Sequence, residues 1–331
     1  MNAVRIATIL VAAALLASRA SADDEKVLLR QRYAPGSYLV TTNMTADQKT
    51  TVGETDQPPR HIERLMVMKL TIAEPDAKGD KKLQVTYERI RHVIGTGDNA
   101  RAYDSAGPAD EQDPALARVF APLLIAKVEA AVNSRGEFLQ VSGPEALLED
   151  TGRLGPSTQP APPGRGRFGP DAVRDMLNQT YAMLPKRPVS VGDKWQNNME
   201  LNLPLLGRIN LPLDCKLESL AGGGALATIT WTGALEAQQP TETEMMGRKL
   251  RVKTSSTKQT GKAEFDASKG VAVATAVTMD RSLDMAITHP GGQDVPMKVE
   301  QKITMTTTFE PYAARKQAPA RGAKLEGPAG G

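Results

Sequence analysis

Between Val271 and Phe309 the chain alternates apolar and polar residues almost without a break, and that pattern restricts the fold more than any other feature. In VAVATAVTMDRSLDMAI the odd positions are Val271, Val273, Thr275, Val277, Met279, Arg281, Leu283, Met285 and Ile287; the even ones are Ala, Thr, Asp and Ser. After a turn at HPGGQD, VPMKVEQKITMTTTF places Val295, Met297, Val299, Ile303, Met305 and Phe309 on one side. Lys298, Glu300, Lys302 and Thr304 lie on the other. A period of two belongs to strands with one buried face. The two runs form an antiparallel hairpin whose strands each approach ~50 Å at ~3.4 Å per residue. Strands of that length must twist or curve strongly.

Shorter runs of the same kind, such as SYLVTTNMT, RLMVMKLTI, KLQVTYERI, RINLPLDCKLESL and ALATITWTGAL, fill most of the remainder. Threonine and valine are frequent in them, as strands prefer. Helix is scarce. Asp113 and Pro114 form a start signal for a helix at 114–121, with Pro122 as its stop or kink. Further helices are expected at 144–150 and 170–184. The fold class is therefore mainly β: a long, curved antiparallel sheet, a half-barrel or two related sheet halves, with a few inserted helices.

Residues 1–22 have the layout of a secretory signal peptide. Arg5 precedes the apolar run from Ile6 to Ala17, and Ala20-Ser21-Ala22 offers a cleavage site after Ala22. The run is shorter than the roughly 20 residues that span a bilayer, so the expectation is a secreted or periplasmic protein with no transmembrane anchor. The 41 basic residues nearly balance the 38 acidic ones once Arg5 and Arg19 are removed, which gives no electrostatic case for a nucleic-acid partner. The single cysteine, Cys215, excludes an internal disulfide, so stability must come from a core. Cys215 lies on the apolar side of its run and reads as a buried small hydrophobe. The chain then divides into a first antiparallel sheet half at 23–141, a helical segment at 142–188 and a second sheet half at 189–310. A Pro/Gly-rich linker at 152–169 and the tail at 311–331 are expected to be disordered.

Motifs for chemistry are sparse. Gly164, Gly166 and Gly169 spell G-x-G-x-x-G, but they follow a proline-rich linker rather than a strand, and the chain then enters the turn KRPVSVGDKW. No nucleotide site is expected there. His61, His92 and His289 are far apart and read as loop or surface residues, not metal ligands. No nucleophile elbow, zinc helix or P-loop occurs, so no catalytic, cofactor or metal residues are nominated. In the turn Gly192-Asp193-Lys194-Trp195, Asp193 is the carboxylate to inspect, with a backbone-capping turn aspartate as the simpler reading. Trp195 and Trp231 read as core anchors. Met279, Met285, Met297 and Met305 mark a candidate face for an apolar ligand, because methionine surfaces adapt to variable shapes; they also simply fill cores.

Two places share a local grammar. PGSYLVTTNM and SVGDKWQNNM each put a glycine just before an aromatic residue and a strand. VNSRGEFLQV and FDASKGVAVA each carry Asn or Asp shortly before a basic residue and a glycine, a hairpin signature. The stretch LPKRPVSVGDKW, with its P-V-x-V-G-D-x-W pattern, together with the signal peptide and the NSRGEFLQVSG turn, resembles an uncharacterised family of secreted bacterial β-rich proteins, a domain of unknown function. That resemblance implies an envelope or secreted location and no activity. The layout is also similar, in architecture only, to half-barrel lipoprotein carriers of the LolA and LppX type. The expected function is non-enzymatic, by binding or as a scaffold. The alternatives are a carrier of a lipid or other apolar ligand on the concave sheet face, and a hydrolase with an unadvertised polar cleft. An outer-membrane barrel is disfavoured, since aromatics at 4% cannot build interfacial girdles.

Overall fold

The computed structural model describes residues 26–95, 97–134, 136–143, 181–203, 207–237, 241–245, 248–288 and 293–312. The expected signal peptide at 1–22, the helix at 144–150, the linker at 152–169, most of the helix at 170–184, His289 and the tail beyond Tyr312 lie outside them. So do Gly164, Gly166 and Gly169.

The first part of the chain forms β1 (Gly36–Val52), β2 (Thr55–Asp56), β3 (Arg60–Ile72), β4 (Lys81–Ile94), β5 (Arg101–Asp104), helix α1 (Pro114–Ile125), β6 (Lys127–Val132) and β7 (Phe138–Ser142). The second forms β8 (Lys194–Leu203), β9 (Gly207–Ala221), β10 (Leu226–Ala237), β11 (Thr241–Met245), β12 (Arg248–Asp266), β13 (Val271–Thr288) and β14 (Asp294–Pro311). All fourteen strands belong to one antiparallel sheet, in the order β7-β6-β4-β3-β1-β14-β13-β12-β10-β9-β8, with β2, β5 and β11 as side branches. The sheet is open among the described residues, since its ends β7 and β8 do not pair with each other. The long hairpin expected from the alternation is β13–β14, registered from Ala274↔Thr308 to Thr288↔Asp294. β14 then pairs β1 from Tyr38↔Pro311 to Val52↔Met297, so the two sheet halves join edge to edge.

Burial along β14 alternates at every residue from Asp294 to Phe309, as one-sided burial requires. We call the face carrying Val299, Ile303 and Met305 the inner face. One end of it is covered by two segments without regular structure. Residues 26–35 and 181–193 meet in a two-way backbone pairing of Val27 with Val189, at 2.9 and 3.0 Å. Leu29, Met183 and Val189 complete a cluster with Leu211, Leu213, Cys215 and Leu217 of β9, Ile229 and Trp231 of β10, and Phe265 of β12. Each large side chain fully buried in this way contributes about 1.5–3 kcal/mol. Beside it, Tyr33 meets Phe138 and Tyr181 edge-on, with ring centroids 6.0 and 5.8 Å apart. Tyr33 adopts a positive φ of 48° to reach them.

Two hairpin turns abut the 26–35 segment, which we call the strap. Gly136 (φ 82°) and Gly270 (φ 66°) end the β6–β7 and β12–β13 turns flagged by the sequence. A Cβ on Gly136 would meet the carbonyl oxygen of Gln31 at 2.7 Å, and one on Gly270 that of Arg30 at 2.7 Å. Arg32 N–H in turn donates to the Gly270 carbonyl at 3.0 Å. Glycine is required twice, by backbone conformation and by the strap's close approach.

Two expectations are corrected. α1 does not stop at Pro122 but continues to Ile125, because Pro122 costs one backbone bond near the helix end, where few bonds remain to be lost. Residues 181–184, assigned to the end of the helix at 170–184, form a turn closed by Leu184 N–H on the Tyr181 carbonyl.

Candidate functional site

Residues directly opposite in antiparallel strands share a face, so the registers arrange the inner face into rows across the strands. One row runs Arg64, Met44, Met305, Val277, Gly261, Trp231 and Cys215. The next runs Ile62, Ala46, Ile303, Met279, Gln259, Gly233 and Leu213. The third is polar: Arg60, Gln48, Gln301, Arg281, Thr257, then Leu235 at its end. Apolar residues return in Val299 and Leu283, flanked by Thr50 and Ser255, and in Val52, Met297, Met285 and Val252.

The four methionines singled out from sequence therefore share one face but form two patches. Met279 and Met305 lie in neighbouring rows, half-buried beside Ile303 and Val277. Met285 and Met297 sit opposite each other on the far side of the polar row, in a cluster with Leu283, Ile287 and Val299. That cluster is built from β13 and β14 alone. Neither the strap nor α1 takes part in it. α1 instead packs over β4 and β5, where Phe120 lies against Tyr103, Ile90 and His92. A depression of about 720 Å³ lies at the level of the polar row, where Arg60, Gln48, Gln301 and Arg281 contribute to it, but most of its lining, including Asp47, Lys49, His61, Lys258, Asp280 and Glu300, belongs to the opposite face.

Charge divides between the two faces. The five rows hold three arginines, Arg60, Arg64 and Arg281, and no carboxylate. The carboxylates of these strands occupy the opposite face, in exposed pairs such as Asp47 with His61 Nδ1 at 2.6 Å and Glu300 with Lys298 at 2.7 Å. Arg64 is engaged locally. Its guanidinium stands 5.8 Å from the Phe120 ring centroid, and its Nε donates to His92 Nδ1 at 3.4 Å. Burial, then the Arg64 charge, lowers the His92 pKa to about 4. His92 is thus a buried strand residue, not the loop or surface histidine expected, because its place in β4 faces α1.

Arg281 has no such company. Burial lowers its pKa, and its Nε is buried without a hydrogen-bond partner. Four other buried side-chain polar atoms share that condition among the described residues. One of them, Gln259 Oε1, belongs to the diagonal neighbour of Arg281 on β12, and Trp231 Nε1 lies one strand and one row further on. Gln259 is 3% exposed and Trp231 5%. Buried polar groups without partners are rare and costly. The alternation puts Arg281 on the apolar side of its strand, but only the register shows that Gln259 is its neighbour.

Gly192, Asp193 and Trp195 lie elsewhere. Gly192 (φ 91°) donates to the Leu217 carbonyl at 2.8 Å, and Leu217 N–H to the Asp193 carbonyl at 3.1 Å. The Asp193 carboxylate accepts from Ser190 N–H at 3.0 Å. Trp195 Nε1 donates to the Met183 carbonyl at 3.0 Å. The motif locks the start of β8 to β9 and fixes the 181–184 turn. No group of His, Cys, Asp and Glu capable of holding a metal occurs among the described residues, and no helix among them is long and apolar enough to cross a membrane.

A family of unknown function, DUF6263, matches residues 78–272. The chain belongs to that family. The match runs from just before β4 to the start of β13, so β1, β3 and β14, which carry much of the inner face, lie outside it. No curated protein matches the chain. Among solved structures, one of lipovitellin with its lipid–protein interactions is similar at a TM-score of 0.42 and 10% identity, covering 85% of this chain. This chain spans 26% of that lipovitellin chain. Pseudomonas aeruginosa OccK7 (OpdD) gives a TM-score of 0.21 at 7% identity, covering 83% of this chain and 98% of its own. An outer membrane channel from Pseudomonas putida F1 gives 0.19 at 6%, covering 88% and 98%. None of the three scores reaches the level of a shared fold.

Proposed function

We propose that this DUF6263 protein is exported by its leading segment and acts without catalysis, holding an apolar ligand on the inner face of its open sheet. One observation carries the reading. Beyond the strap and α1, the inner face of β1, β13 and β14 presents half-buried Met44, Val277, Met279, Ile303 and Met305, and the only carboxylates of these strands point the other way. Apolar surface left in water costs about 25 cal/mol per Å², so an uncovered stripe of this kind on a secreted chain suits a bound hydrocarbon. Methionine's flexible thioether suits it further, because it adapts to chains of varying shape. Titration of the full chain with the neutral fluorophore Nile red tests this. Saturable, stoichiometric binding is expected, lost in Met305→Glu while the unfolding midpoint is kept. Absence of saturable binding to the unaltered protein would contradict it.

A further inference from the structure

The polar row crossing the apolar face has a chemistry of its own. Arg281 stands opposite Thr257, one step along β12 from Gln259. Gly261 is one step further, with the Trp231 indole lying over it through Cε2, the atom bonded to Nε1. Diagonal cross-strand neighbours lie roughly 7–8 Å apart, which brings Arg281 and Gln259 together, whereas Trp231 lies one strand and one row beyond Gln259, in the core cluster. Arg281 Nε is a donor awaiting an acceptor. Gln259 Oε1 is an acceptor awaiting a donor. Inside the five rows no protein carboxylate is present to neutralise Arg281. A half-buried guanidinium whose Nε is shut off from water and has no counter-charge on its face is costly to hold. The missing partner is then an anion that also offers an O–H or N–H.

We infer that Arg281 and Gln259 receive the head group of a single-chain amphiphile, a carboxylate with a neighbouring hydroxyl or amide donor, whose hydrocarbon lies on the Met279–Ile303–Met305 patch. This rests on the apolar-ligand reading above and adds the ligand class. The Arg281 fork takes the carboxylate. The ligand's own donor satisfies Gln259 Oε1.

The test is calorimetric titration of the full chain, below micellar concentrations, with dodecan-1-ol, dodecanoate and 3-hydroxydodecanoate. The expected order is alcohol weakest, carboxylate about tenfold tighter, and hydroxy-carboxylate tighter again, in line with a charge-assisted hydrogen bond. Arg281→Gln should remove the preference for the anions while leaving dodecan-1-ol binding intact, and Arg281→Lys should restore part of it. Unfolding midpoints of both variants establish that they are folded. Equal binding of alcohol and carboxylate, or a preference that survives Arg281→Gln, overturns the head-group assignment and leaves the apolar-ligand reading standing. Failure of all three probes to bind overturns both.

Discussion

The indole of Trp231 lies flat against the Cα of Gly261 across the β10–β12 pair, in the volume that any other residue's Cβ would fill. The contact sets how deep the tryptophan sits in the core. A Gly261→Ala substitution would drive a methyl into the ring. Overpacking of this kind costs about 1–3 kcal/mol, read as a lowered denaturant midpoint. Trp231→Ala alone should also destabilise. The double variant should cost clearly less than the sum, since removing the ring removes the clash. Additive losses would show that the two residues are not in contact.

Arg281 predicts the opposite sign. Replacing it with methionine removes a half-buried, unpartnered cation from an apolar face and leaves an unbranched apolar side chain. Most core substitutions destabilise. Here Arg281→Met should raise the melting temperature of ligand-free protein, because a charged group held for binding is a stability cost. A clear fall in melting temperature would mean that Arg281 already has a partner in the free protein.

His92 makes stability depend on pH. Its folded pKa, near 4, lies below the ordinary 6.5, so the unfolded chain takes up the proton first as pH falls. The stabilisation is complete above about pH 6.5, declines as pH drops toward 4, and is fully lost below it. The loss amounts to as much as about 3 kcal/mol. His92→Phe, which keeps a ring beside Phe120, should flatten this part of a stability–pH curve. An unchanged slope would remove His92 as its source.

Burial raises the Cys215 thiol to a pKa of about 12 and leaves it 2% exposed. It should therefore resist thiol-modifying reagents in the native protein at pH 8 and react fully once the chain is unfolded. Rapid native labelling would show that the cluster beneath the 181–193 segment opens readily.

The alternation from Val271 to Phe309 carried the architecture, because a period of two with one apolar side leaves an antiparallel strand little choice of face. The Asp113–Pro114 start signal placed α1, and Asp113 does accept from Ala115 and Leu116 N–H, at 2.9 Å each. What the sequence could not show was register. Arg281 could be seen facing inward, but its row with Gln301, Gln48 and Arg60 depends on pairings across four strands. Gln259 and Gly261 sit in TSSTKQTGKAEF, where threonine, serine and glycine hide the alternation of β12. The strap at 26–35 was invisible for another reason. It has no periodicity, and it is held by backbone bonds to Gly270 and Val189 and by Lys81 Nζ on the carbonyls of Arg32 and Tyr33.

The most direct measurement of the central claim is native mass spectrometry of the full chain purified without detergent, repeated after organic extraction, with analysis of the extract. The account predicts a single extra mass at one-to-one stoichiometry, removed by extraction and identified as an anionic single-chain amphiphile. It also predicts that the stripped protein takes the molecule back and that Arg281→Gln does not retain it. A bare protein mass, with no uptake by the stripped protein when such amphiphiles are supplied, would contradict it.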